Sequence, residues 1–222
     1  MFTAFLYKEW IKLRTPLIIL FTLQLLWLLR LGFFLNANRS DNNIMMWFDW
    51  MWGGKLFFSG FSPLPAIIAF VIALAQFLPE TRDKRLKLML HLPLSQYRVI
   101  ASHLLIGLAA LFTLCLIAAC IITSYIYLWF PAFLILPALL SILPWCLAGV
   151  CIYSLTAMAV MEGKVLYRIT YSSIIAGLFL WFTRADYHLW YGSALPWLAV
   201  VTLFTLPLPL LSVQRFRQGV SA

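Results

Sequence analysis

The chain has 222 residues, of which 64% are hydrophobic and only 10% are charged, and its mean hydropathy is +0.95. A water-soluble domain of this length would carry about 25% charged residues, so the composition excludes one. The high apolar content also excludes an intrinsically disordered chain. Four cysteines are too few for a disulfide-stapled secreted scaffold. The class that remains is an integral membrane protein.

Apolar stretches of about 20 residues, the length that a helix needs to cross the hydrocarbon core, occur six times. We therefore predict an all-α integral membrane protein with six transmembrane helices, because lipid offers no partner for an unpaired backbone amide. Residues 1–222 form a single transmembrane domain in this interpretation. The predicted spans cover residues 16–35, 58–78, 99–122, 137–161, 165–183 and 194–213.

The positive charges predict the orientation. If both termini are cytoplasmic, twelve of the 16 Lys and Arg residues lie on the cytoplasmic side and four lie on the outer side. Cytoplasmic loops are enriched in Lys and Arg, so this distribution predicts that the N- and C-termini are cytoplasmic. The net charge of +9 thus reflects topology, and without a soluble basic domain we expect no nucleic-acid partner.

Residues 1–15 do not have the pattern of a cleavable signal peptide, because their apolar run is short and their basic residues follow it. Apolar side chains, among them Phe2, Phe5 and Trp10, recur at helical spacing, while Lys8 lies on another side. This pattern predicts a short amphipathic helix on the inner membrane surface, from which the chain turns into the first span at Pro16. The alternative is a disordered basic tip.

The longest polar cytoplasmic segment, residues 79–98, joins the second and third spans. Its first part is densely charged and its second part alternates charged and apolar residues. As a helix it would begin near Glu80, where acidic side chains are favourable, and it would end before Pro93.

The chain resembles the membrane subunits of type-2 ATP-binding-cassette exporters in three features: a basic N-terminal helix, six spans and a Glu that closes the second span. The stretch Leu90-His91-Leu92-Pro93-Leu94-Ser95-Gln96-Tyr97-Arg98 carries the same resemblance. It implies that segment 79–98 contains a cytoplasmic coupling helix, which sits in a groove of an ATPase subunit. The residues expected to contact the ATPase are Glu80, Arg82, Asp83, Arg85, Leu86, Leu90 and, in the turn after the fourth span, Glu162 and Lys164. The alternative for these charges is a solvated basic loop.

The resemblance implies a multi-pass permease subunit of the bacterial inner membrane, in which ATP hydrolysis by a partner drives export from the cytoplasm or the inner leaflet. The chain has no Gly-x-x-x-x-Gly-Lys-Ser/Thr loop, so ATP and Mg²⁺ would be bound by the separate ATPase and no cofactor by this chain. Six spans are half the usual number in such exporters, which implies a second copy or a related permease subunit. Membrane lipid is the remaining partner.

Two other functions stay open. One is an intramembrane lipid-modifying enzyme, although the chain has neither a His-Glu-x-x-His nor a Gly-x-Ser-x-Gly motif. The other is a non-transporting anchor or assembly subunit. We expect no catalytic residue, because the seven carboxylates are scattered. We also expect no metal site, because the four cysteines fall in the third and fourth spans without a His or a carboxylate predicted at matching depth.

The outer loop after the first span is rich in aromatic residues around Trp47, Asp49 and Trp50. It faintly resembles the external segments of haem-handling membrane proteins, in which case His188 of the last outer loop would be an axial ligand. The alternative is that these Trp residues anchor the protein at the membrane–water boundary.

Polar residues inside the spans are candidates for function. Arg30 is a candidate for the substrate path, with Gln24 loosely on its face, or else it extends to the outer surface. His103 is expected to be a hydrogen-bonded interfacial residue, because no carboxylate is predicted at its depth.

Overall fold

The computed structural model describes residues 2–37, 48–49, 52–82, 96–184, 187 and 189–217. In this part of the chain the regular structure is helical, and the only β pairing is an isolated bridge between Lys55 and Tyr187. Short 3₁₀ turns precede the second and fourth helices. The helices are α1 (Phe2–Ala37), α2 (Pro63–Arg82), α3 (Gln96–Trp129), α4 (Ile135–Met161), α5 (Val165–Thr183), α6 (Leu195–Thr205) and α7 (Leu208–Arg217).

Six stretches of the described chain are helical, long and apolar enough to cross a membrane, which confirms the predicted number of spans. The fifth stretch has the predicted bounds, and the first and third extend well beyond the predicted spans. The six stretches are Tyr7–Ala37, Ser59–Thr81, Ile100–Trp129, Ala132–Met161, Val165–Thr183 and Leu195–Ser212.

Helix α1 differs from its prediction. Instead of a surface helix over residues 1–15 and a turn at Pro16, one helix of 36 residues runs through Pro16. The physical reason lies in the side chains of the early turns: Glu9 and Leu13 are buried against other helices. The early turns of α1 therefore belong to the helix bundle and are not free to lie on the membrane surface.

The sixth span is the second difference, because two helices, α6 and α7, replace the single predicted helix over 194–213. The chain turns at Leu206 and Pro207 between them. Proline has no amide hydrogen to donate and its ring clashes with the preceding turn, which explains the break.

Helix α4 is the centre of the bundle, and it packs against α2, α3, α5, α6 and α7. Its approach to α2 is close: a Cβ at Gly149 would lie 3.0 Å from the backbone oxygen of Pro65. One apolar core, which includes Phe77 and Leu104, lies towards the predicted cytoplasmic end. A second core, built around Phe58, lies towards the opposite end. Helix α1 packs against α2 and α3.

Candidate functional site

The most unusual feature of the bundle is a group of polar side chains buried where α1, α2, α3 and α4 meet, at the predicted cytoplasmic end. Five of its members are at most 2% exposed. We call this group the polar cluster. Its members are Lys8, Glu9 and Lys12 of α1, Gln76 and Glu80 of α2, His103 of α3 and Tyr153 of α4.

Two lysines of α1 hold the carboxylate at the end of α2. Lys8 Nζ lies 3.0 Å from Glu80 Oε1, and Lys12 Nζ contacts the same oxygen. Lys12 also donates to Glu9 Oε1 at 2.8 Å. Lys12 therefore bridges the two buried carboxylates, and the end of α2 is attached to α1 by charge-assisted contacts.

The other oxygen of Glu9 connects α1 to α2 and α3. Nδ1 of His103 lies 3.1 Å from Glu9 Oε2. The amide nitrogen of Gln76 donates to the same oxygen at 3.1 Å and to the backbone oxygen of His103 at 2.6 Å. The expectation that no carboxylate shares the depth of His103 is thus wrong, because continuous α1 brings Glu9 to that level.

Tyr153 completes the cluster from the central helix. Its hydroxyl donates to Gln76 Oε1 at 2.7 Å, so the Gln76 amide uses its oxygen and both of its N–H donors. The hydroxyl fits there because residue 107 of α3 is glycine. A Cβ at Gly107 would overlap both the Tyr153 hydroxyl and Gln76 Oε1.

The cluster balances its charges, with Glu9 and Glu80 facing Lys8 and Lys12 and with His103 beside them. Burying charges has a large desolvation penalty, which pairing and hydrogen bonding offset. Removal of one partner leaves an uncompensated buried charge, which typically costs 3–5 kcal/mol. We therefore expect the four helix segments that meet here to move as one unit.

The structure places the predicted ATPase-contacting residues in different settings. Glu80 is buried in the polar cluster and does not face outwards. Arg82 ends α2. Glu162 is 5% exposed, and its Oε2 accepts a hydrogen bond from Ser212 at 3.4 Å. Lys164 lies over the Tyr167 ring, 6.0 Å from its centre. The remaining candidates, Asp83, Arg85, Leu86 and Leu90, lie outside the described residues.

The substrate-path candidates do not come together. Gln24 is buried and donates to the backbone oxygen of Leu114 at 2.9 Å, whereas Arg30 is exposed and lines a groove of about 250 Å³ with Trp27 and Phe57. Asp49 is exposed as well. Trp47, Trp50 and His188 lie outside the described residues.

The loop between α5 and α6, at the predicted outer end of the bundle, is attached to α5 by Tyr191. The Tyr191 hydroxyl donates to the backbone oxygen of Trp181 at 2.8 Å. Burial raises the pKa of the Tyr191 phenol. The Tyr191 hydroxyl therefore anchors the loop through this hydrogen bond.

Sequence reasoning missed the role of Glu9, Gln76 and Tyr153. One signal was available, because Gln76 and Glu80 are four residues apart and lie on one face of α2. Nothing in the sequence pattern distinguishes Tyr153 from other aromatic residues of the spans.

Comparisons of the chain with protein-family models, with curated proteins and with solved structures found no match.

Proposed function

We propose that this chain is the membrane subunit of a type-2 ATP-binding-cassette exporter of the bacterial inner membrane, with both termini cytoplasmic. A separate cytoplasmic ATPase binds ATP and Mg²⁺, and a second copy or a related permease completes the transporter. The transported substrate leaves the cytoplasm or the inner leaflet. The motif resemblance over residues 80–100 suggested this function, and one contact in the bundle supports it.

That contact is the pairing of Glu80 with Lys8 and Lys12. Glu80 lies at the end of α2, where the proposed coupling segment 79–98 begins. Any displacement of this segment by an ATPase would act on α1 through the two lysines. From there it would act on α3 through Glu9 and His103. The polar cluster thus offers a route from the cytoplasmic surface into the spans.

Transmission of a movement from the ATPase to the spans requires no reactive group in the membrane subunit. The Glu, His and Tyr side chains of the cluster belong to residue types that can act as nucleophiles, but they are at most 2% exposed and bond chiefly within the cluster. This favours a subunit that transmits movement over an intramembrane lipid-modifying enzyme. A non-transporting anchor would have the same architecture but would bind no ATPase.

The test is purification of the chain in mild detergent, followed by measurement of ATP hydrolysis in the preparation. We expect an ATPase to copurify with the native chain. The double variant Arg82→Glu with Arg85→Glu should insert into the membrane and lose stimulated ATP hydrolysis, because it reverses two charges of the proposed contact. A native preparation that hydrolyses no ATP would overturn the proposal, and the anchor function would then take its place.

The matched control is Arg215→Glu with Arg217→Glu. It makes the same change of charge on the predicted cytoplasmic side, at the end of α7. Its ATPase activity should remain close to that of the native chain. Equal loss in both double variants would assign the effect to general surface charge and would contradict a specific contact at segment 79–98.

A further inference from the structure

A groove of about 440 Å³ opens between α2, α4 and α5, on a side of the bundle that the polar cluster does not occupy. Its apolar part is formed by Phe70, Leu74 and Leu78 of α2, which follow one another at intervals of four residues, and by Ile175 of α5. The stretch from Phe70 to the end of the groove at Thr81 is about 16 Å long at 1.5 Å per residue. A groove of this length can hold much of one acyl chain.

The polar residues of the groove lie towards its predicted cytoplasmic end. They are Arg168, Thr81, Thr156 and, one helical turn beyond Arg168, Ser172. Arg168 and Thr156 lie on the two sides of the turn that joins α4 to α5, three and five residues from the respective helix ends. Their depths therefore agree to within about 3 Å. The groove is charged at one end and apolar along the rest.

Thr156 is the first sign that a ligand belongs here. Its side chain is 2% exposed, and Oγ1 has no hydrogen-bond partner among the described residues. Other hydroxyls of the spans donate to the backbone oxygen four residues earlier, as Thr113 and Thr170 do. Oγ1 is enclosed in this structure, so a ligand atom in the groove would contact it once the side chain turns towards the groove. A buried hydroxyl without a partner is unfavourable, and such a contact would stabilise it.

Arg168 is the second sign. Its guanidinium donates to the backbone oxygen of Glu162 at 2.8 Å, and it forms no ion pair with any carboxylate in the described part of the chain. A guanidinium has five N–H donors, which suit the oxygens of a phosphate. The remaining donors of Arg168 are thus suited to an anion at the level of Thr156.

We propose that this groove binds one anionic phospholipid of the cytoplasmic leaflet. The phosphate lies on Arg168, the Thr156 hydroxyl turns towards it, and one acyl chain follows Phe70, Leu74 and Ile175. The charged end of the groove lies at the predicted cytoplasmic headgroup level, which is where a phospholipid of that leaflet carries its phosphate. The proposal depends on the predicted orientation and requires no ATPase.

A second groove provides the internal comparison. It lies between α1 and α3, measures about 550 Å³ and contains Arg14 and Thr113. The Thr113 hydroxyl already donates to the backbone oxygen of Ala109 at 2.7 Å. This larger groove therefore has an arginine but lacks an unpartnered hydroxyl, and Arg14→Gln is the matched control for Arg168→Gln.

The test is native mass spectrometry of the full chain in detergent, titrated with phosphatidylglycerol or with phosphatidylcholine of the same acyl chains. We expect the native chain to bind one phosphatidylglycerol more tightly than phosphatidylcholine, because the choline cation of phosphatidylcholine offsets the phosphate charge that Arg168 would attract. Arg168→Gln should weaken phosphatidylglycerol binding by about tenfold and Thr156→Val by about threefold, the ordinary effects of losing a charged and a neutral hydrogen bond. Arg14→Gln should leave the affinity unchanged.

Equal binding of the two lipids, or equal loss in Arg168→Gln and Arg14→Gln, would overturn the proposal in favour of a nonspecific lipid annulus. A separate titration with inorganic phosphate distinguishes the sources of the anion. Phosphate that displaces phosphatidylglycerol at comparable concentration would show a small-anion site and would overturn the lipid assignment. If Arg168→Gln fails to fold, phosphatidylglycerol binding is measured instead in Thr156→Val and in Ile175→Trp, which fills the groove. Unchanged binding in both variants would overturn the proposal.

Discussion

The hydroxyl of Tyr153 occupies the space in which a side chain at Gly107 would begin. Tyr153 lies on the central helix α4 and Gly107 lies on α3, so the absence of one Cβ permits the polar cluster to close between them. The same space is adjacent to Oε1 of Gln76, which accepts the Tyr153 hydrogen bond.

Gly107→Ala should destabilise the protein by about 3 kcal/mol, because the new methyl group overpacks the site and displaces the Tyr153 hydroxyl from its acceptor. Unfolding in a single detergent measures the effect. Gly177→Ala in α5 is the control, since a Cβ there would meet nothing within 4 Å. Equal stability of the two variants would show that the cluster does not require the glycine.

Gln76→Leu should destabilise the protein by about 3 kcal/mol or more, since it leaves Glu9, Tyr153 and the backbone oxygen of His103 each short of a hydrogen bond. The same substitution at Gln24 is the control. Gln24 makes one hydrogen bond, and its buried Oε1 has no partner among the described residues. We expect Gln24→Leu to change stability by less than about 1 kcal/mol, and similar losses in both variants would contradict a network centred on Gln76.

Lys12 and Glu80 should show strong coupling in a double-mutant cycle. Lys12→Gln and Glu80→Gln each leave a buried charge with fewer partners, so each should cost about 3 kcal/mol. The double variant should lose less than the sum by at least about 1 kcal/mol, because the two interacting charges are then removed together. Lys55→Gln, at an exposed lysine of the opposite end, should be nearly neutral. Strictly additive losses would show that the two side chains do not interact.

The predicted orientation has a direct chemical test in intact cells. A membrane-impermeant maleimide should label Asn38→Cys, on the predicted outer side, and should not label Gln218→Cys until the membrane is made permeable. The native chain, whose four cysteines lie within the helices, is the control for background labelling. Labelling of Gln218→Cys in intact cells would place the C-terminus outside and would overturn the orientation.

The sequence predicts the spans well because a span is a local property. Twenty apolar residues must form a helix in lipid whatever surrounds them, and α5 therefore has the predicted bounds, Val165–Thr183. The break between α6 and α7 is also local. It follows from Pro207, although apolar composition alone predicts one uninterrupted helix there.

The polar cluster could not be predicted in the same way, because its partners are far apart in the chain. Taken alone, Lys8, Glu9 and Lys12 have the composition of a helix on the membrane surface. They become interior residues only because Glu80 and His103 offer opposite or complementary groups at the same depth. The spacing of residues within one helix carries no information about which residues of the other helices lie at the same depth.

The continuous helix α1 has a consequence for where the buried charges lie in the bilayer. The stretch from Glu9 to Ala37 is about 42 Å long at 1.5 Å per residue. A membrane is about 40–45 Å thick when its headgroup regions are included, and its hydrocarbon core is about 30 Å thick. If Ala37 lies at one surface, Glu9 and its lysine partners lie in the headgroup layer of the other. They are then shielded by protein from the lipid but remain within a side chain's length of water.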